Sequence, residues 1–223
     1  MIRAIFLKEW WKTRLTICLI GIGWLALTVY VLLTIRNSMM VSGHVETIAT
    51  MLSRDMLFIE PLRYMPALAG VVLAFVQWMP EMTQKRLQLT LHLPLPYPVS
   101  VGGMLGYGVF LLAAIAGVNL LLLGYVERLW VPAELIRTTL LTLLPAYVAS
   151  LMAYLLTAWV VLEPTWSMRC LCIVMSIGLL ALFFLNAMPL TYMRMLPWLV
   201  LLIVLCAGLP LYSVYRFQLG KGL

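Results

Sequence analysis

Six long apolar runs, separated by short charged stretches, dominate this chain of 223 residues. A transmembrane helix needs roughly 20 consecutive apolar residues, and each run is long enough to supply one. Hydrophobic types make up 64% of the chain and charged types only 10%, so such a chain stays in solution only where lipid replaces water around its helices. The expected fold class is therefore an all-α integral membrane protein with six transmembrane helices, forming a single transmembrane domain over 1–223. Function has to be read from the short water-facing segments and from the few polar groups inside the spans.

The formal charge of +7 does not point to nucleic acid, because no basic run exceeds two adjacent residues. Lys and Arg accumulate in loops retained on the cytoplasmic side, and this gives the basic balance a simpler cause. Cys18, Cys170, Cys172 and Cys206 all lie in or beside apolar runs and read as small apolar fillers, with no disulfide framework implied. Arg3, Lys8, Lys12 and Arg14 precede a long apolar run without a small-residue cleavage site, so the N-terminus is not expected to be a cleaved signal.

Residues 2–14 read as an amphipathic interfacial helix. Ile2, Phe6 and Trp10 recur every fourth position, Lys8 and Lys12 form a second row, and paired Trp10 and Trp11 suit the headgroup level. A plain basic flank of the first span is the alternative. The first span is expected over Leu15–Ile35, followed by a polar stretch to Arg63 that holds His44, Glu46, Arg54, Asp55 and Glu60. The second span is expected over Leu62–Pro80 and the third over Val99–Tyr125, with Ser100 as a possible cap. The fourth covers Ile136–Leu162 with a kink at Pro145, the fifth Met168–Ala187 and the sixth Leu196–Tyr215.

With the N-terminus inside, nine Lys and Arg fall on the cytoplasmic side and six outside, which places both termini in the cytoplasm. The segment from Glu81 to Pro98 then lies on the cytoplasmic side. Its first part can form a short helix with Leu87 and Leu91 on one face, and Pro94, Pro96 and Pro98 impose an extended ending. An apolar-faced helix held outside the hydrocarbon needs the bilayer surface or a protein partner to bury that face.

At these residues the chain resembles the permease subunits of the ABC-2 family of ATP-binding-cassette transporters. That family has six spans, a basic amphipathic helix before the first and a cytoplasmic coupling helix between the second and third. Glu81, Leu87, Leu91, Leu93 and Pro94 match the coupling loop, and Phe6-Leu7-Lys8-Glu9-Trp10 matches the family's opening. Lys85-Arg86 stands where members often carry Gly-Thr, a departure at the ATPase contact. The resemblance implies an exporter whose energy comes from a separate ATPase subunit docking on residues 81–98, with a second permease chain completing the unit. No G-x-x-x-x-G-K-[ST] loop occurs in this sequence, so ATP and magnesium would be held by that partner and not by this chain. The similar haem-exporter permease of cytochrome c maturation and a non-transporting membrane scaffold are the alternative readings.

Among the polar groups inside spans, Asn119 and Asn186 are candidates for interhelical bonds or for a translocation path. Gly102 and Gly106 give a G-x-x-x-G that fits either packing within the chain or a dimer face. Between the last two spans, Pro189 and Pro197 fit breaks in a short re-entrant segment or a plain loop. Enzyme readings lack their residues. Asp55 is the only aspartate, His44 and His92 are the only histidines and lie in loops assigned to opposite sides, and no serine occupies a G-x-S-x-G turn. No charged residue is placed in the middle of a span, which favours an apolar or amphiphilic substrate over an ion.

Overall fold

The computed structural model describes residues 2–43, 46, 48, 60–83, 97–185 and 190–218, and these are helical apart from short turns, with no strand among them. The helices are α1 (Ile2–Ser42), α2 (Glu60–Thr83), α3 (Tyr97–Glu127), α4 (Ala133–Leu162), α5 (Trp166–Ala181), α6 (Leu196–Cys206) and α7 (Gly208–Gln218). Among the described residues, five stretches are long and apolar enough to cross a bilayer: Ile5–Val41, Pro61–Thr83, Pro98–Glu127, Ala133–Leu162 and Leu196–Phe217. The chain thus has the architecture of a multi-pass membrane protein. Helix α5, with 16 residues, rises about 24 Å against a hydrocarbon core of about 30 Å.

The N-terminal segment and the first span form one helix, with no break near residue 14. The sequence supplies no breaker there: the first glycine is Gly21 and no proline occurs in α1. At 41 residues the helix is about 60 Å long, twice the hydrocarbon thickness, so its ends must reach beyond the hydrocarbon. It stops at Gly43, whose φ of +82° is the left-handed conformation that ends helices and that a side chain would strain.

Helix α4 is the centre of the bundle. Its most apolar stretch is 67% buried, against 22% for α3 and 28% for α1, and α2 packs along it more extensively than any other pair of helices. The α2–α4 approach is close because of Gly70, where a Cβ would collide with the Ser150 carbonyl oxygen. Gly108 of α3 makes similar room for the Tyr154 phenol. Outside α3, no described residue lies within 4 Å of where a Cβ would stand at Gly102 or Gly106. Pro145 lies buried inside α4 without ending it, and Ser100 lies in the first turn of α3 rather than before it.

The last expected span is divided at Ala207. Pro210 offers no N–H to the Cys206 carbonyl and its ring crowds that oxygen, which accounts for the break. The fifth helix ends at Ala181, six residues short of the expected boundary, in turns over 182–184 that bury Phe183.

Candidate functional site

The antiparallel course of α1 and α2 brings the start of the first beside the end of the second. There, four charged side chains meet. Lys12 Nζ donates to Glu9 Oε1 at 3.2 Å and lies 3.1 Å from Glu9 Oε2, one turn back on the same helix. The same ammonium donates to Glu81 Oε1 of α2 at 2.9 Å. Lys8 reaches that oxygen as well, at 3.1 Å. Both carboxylates are fully buried, whereas the Lys8 side chain is 42% exposed and that of Lys12 13%. Two carboxylates and two ammoniums make the cluster neutral, which is what allows it to be buried at all.

A short polar chain leads inward from this cluster. Thr13 donates to the Glu9 carbonyl at 2.8 Å or shares its proton with the Tyr107 hydroxyl of α3 at 2.9 Å. Phe6 of α1 stacks edge-on against Tyr107 with ring centroids 5.4 Å apart. The opening turns of α1 are thereby fastened to both α2 and α3. On the outer side of those turns, Trp10 and Trp11 are exposed, and the Arg14 guanidinium lies 4.4 Å over the Trp11 ring.

A second ionic cluster sits at the same end, where α4 gives way to α5. Arg216 of α7 donates to Glu163 Oε1 at 2.8 Å, Ser213 donates to Oε2 at 2.6 Å, and Thr165 adds a donor to Oε1 at 3.3 Å. Arg169 of α5 donates to the Glu163 carbonyl at 2.7 Å. Glu163, at the end of α4, thus ties together three helices, reaching α7 through its carboxylate and α5 through its carbonyl.

Deeper in the bundle the polar groups are neutral. Asn119 donates to Thr28 Oγ1 at 2.7 Å and accepts from the Tyr147 hydroxyl at 2.6 Å, linking α3 to α1 and α4. Gln77 donates to the Met104 carbonyl at 2.9 Å and accepts from Tyr154 at 2.8 Å. Each amide is paired on both its oxygen and its nitrogen, so these networks hold helices in register. Among the described residues, no group of three or more His, Cys, Asp or Glu could hold a metal.

The residues singled out from the sequence therefore fall into separate places. Glu81, expected at the head of the coupling loop, lies in the last turn of α2 with its carboxylate turned to α1. Phe6, Lys8 and Lys12 belong to the same contact, and Trp10 and Trp11 to the outer face. Asn119 is in the interior network. Lys85, Arg86, Leu87, Leu91, Leu93, Pro94 and Asn186 lie outside the described residues. Sequence reasoning missed the pairing of Lys12 with Glu81, the role of Tyr107 and the whole Glu163 cluster. The Glu9–Lys12 spacing of three was a usable signal, whereas Lys12–Glu81, Thr13–Tyr107 and the contacts of Glu163 with Ser213 and Arg216 join residues 50 or more positions apart.

No protein-family model matches the chain, and no curated protein or solved structure is significantly similar to it.

Proposed function

We propose that this chain is the transmembrane subunit of an ABC-2 type exporter, working in the cytoplasmic membrane with both termini in the cytoplasm. In this reading α5 and the turns after it serve as a short fifth span, giving six in all. The first turns of α1 lie at the headgroup level, held by Trp10, Trp11 and Arg14. Residues 81–98 dock a separate ATPase subunit, and a second permease chain completes the unit. This chain catalyses no step itself; the partner ATPase binds ATP and magnesium.

The observation that supports the reading most strongly is the Lys8–Lys12–Glu81 contact. It joins the basic opening of α1 to the last turn of α2, immediately before the segment whose leucines and prolines resemble a coupling loop. A push delivered to that segment would reach Glu81 first, and through Lys12 it would reach α1. Closure of two ATPase subunits could then tilt α1 and α2 together and shift the paired permease chains between inward and outward accessibility.

The test uses Leu87 and Leu91, since burying a leucine against a partner contributes about 1.5–3 kcal/mol. Changing both to Asp should leave membrane insertion intact. It should abolish co-purification of a phosphate-loop ATPase and permease-stimulated ATP hydrolysis. An unchanged affinity for the ATPase in the double variant would remove this segment as the docking site and favour a membrane scaffold.

A further inference from the structure

Four glutamates are buried among the described residues: Glu9, Glu81, Glu127 and Glu163. Three of them have a lysine or arginine nitrogen within 3.1 Å. Glu127 has none among the described residues, and its Oε2 is buried without a hydrogen-bond partner. It closes α3 at the end of the bundle opposite the two ionic clusters. Tyr107, which meets the Lys12 cluster through Thr13, stands twenty residues earlier, about 30 Å along the helix. The surroundings make the missing cation costly. Leu123, one turn before, and Trp130 and Val131, just after, belong to the apolar core with Ile35 of α1 and Leu135 of α4. As the last residue of α3, Glu127 also meets the negative end of the helix dipole. Ionisable groups toward this end turn away from it: Arg36 of α1, Glu46, Tyr125, Arg128, and Glu134 and Arg137 of α4 are exposed. Arg63 of α2 donates to the Phe184 carbonyl at 3.2 Å, and the buried Thr139 of α4 donates to the Leu135 carbonyl at 3.0 Å.

A carboxyl group enclosed in this way is stable only when neutralised, and room and ligands decide by what. A metal ion needs several oxygens. The carbonyls of Gly124, Val126 and Glu127 already accept from the backbone N–H groups of the turn after α3, and no metal-holding group of His, Cys, Asp or Glu occurs among the described residues. An organic ammonium has no way into a residue that is 2% exposed. A proton needs one oxygen and no room, and the exposed Arg128 puts water one residue away. We infer that Glu127 is a proton-binding site: with this end of the bundle closed its carboxyl holds a proton, and water entering between α3 and α4 releases it. By reciprocity, withdrawing the proton favours the opening of that end. The site does not depend on the exporter reading, because every group in it belongs to one chain.

The experiment is infrared spectroscopy of the purified full chain, without any ATPase, in maltoside micelles, which carry no carbonyl of their own. At about pH 7 the wild type should show the carbonyl stretch of one protonated carboxylic acid. Glu127→Gln should lose that band and no carboxylate absorbance, and its unfolding midpoint should stay within roughly 2–4 °C of wild type, since one neutral group replaces another. Exchanging choline chloride for sodium chloride should leave the band unchanged. Maleimide labelling of Leu135→Cys, at the same end of the core, reads the opening. Between about pH 6 and pH 9 its rate should rise at least threefold more with Glu127 present than in the Glu127→Gln background. If Glu127→Gln does not stay monodisperse, Glu127→Asp takes its place, and the acid band should then shift in frequency rather than vanish. Four outcomes overturn the inference: a wild-type spectrum without an acid band, an acid band unaltered by the substitution, loss of the band in sodium, or an equal rise of labelling with pH in both backgrounds.

Discussion

The two ionic clusters lie at the same end of the bundle, yet they are built differently. At Glu163, one carboxylate receives three side-chain donors, and both of its oxygens are satisfied. At Glu81, the donors of Lys8 and Lys12 crowd onto Oε1, while Oε2 is buried without a partner among the described residues. Lys12 is also shared with Glu9. A carboxylate satisfied on both oxygens has one favourable arrangement and acts as a clamp. A cluster in which two carboxylates compete for one ammonium can exchange partners at small cost, and this one stands just before the segment proposed to dock an ATPase. The contrast separates a fixed joint among α4, α5 and α7 from a movable one between α1 and α2.

Removing Lys12 should have the largest effect. In Lys12→Met, Lys8 can still pair with Glu81, but Glu9 is left as a buried charge without a cation. Breaking a buried pair from one side costs about 3–5 kcal/mol. Thermal unfolding in detergent should show that loss, and adding Glu9→Gln should recover at least half of it, because the stranded charge is then gone. If the double variant were no more stable than Lys12→Met, the idea that Lys12 serves two carboxylates would fail.

The fixed joint should respond less. Glu163→Gln keeps an acceptor for Arg216 or Ser213 and removes only the charge assistance, a difference of about 1–2 kcal/mol. Arg216 is 21% exposed and can turn its guanidinium toward water, which limits the penalty further. The same unfolding measurement checks it. A loss as large as that of Lys12→Met would erase the distinction between the two clusters.

How far the sequence foretold this arrangement depends on the range of the signal. Apolar run length placed α2, α3 and α4 to within three residues of the expected boundaries at each end, because burial in lipid is a property of consecutive residues. The continuity of α1 was not visible in the pattern, since a change from amphipathic to uniformly apolar sequence looks like a boundary but contains no breaker. The division at Ala207 was legible in principle from Pro210, whose missing N–H falls on Cys206. Tertiary pairs were not legible. Glu81 was singled out as the start of a coupling loop, but nothing local says that its carboxylate faces Lys12, 69 positions away. Asn119 illustrates the same limit: its polarity inside a span was evident, and its partners Thr28 and Tyr147 were not.

The smallest expected effect is also the most diagnostic for the movable joint. Lys8 touches the same Glu81 oxygen as Lys12, but its side chain is 42% exposed, so water and salt screen its contribution. Lys8→Ala should therefore cost less than about 1 kcal/mol, and the difference from wild type should shrink further as ionic strength rises. Lys12→Met should show almost no such salt dependence, because its charges are enclosed. If the ABC-2 reading holds, the two variants should also differ in coupling: Lys8→Ala should retain most ATPase stimulation, whereas Lys12→Met should lose it even where the ATPase still binds. Equal salt sensitivity in the two variants would mean that Lys12 is as open to solvent as Lys8. The cluster would then be an ordinary surface ion pair, and a push on residues 81–98 would have no enclosed ionic link into α1.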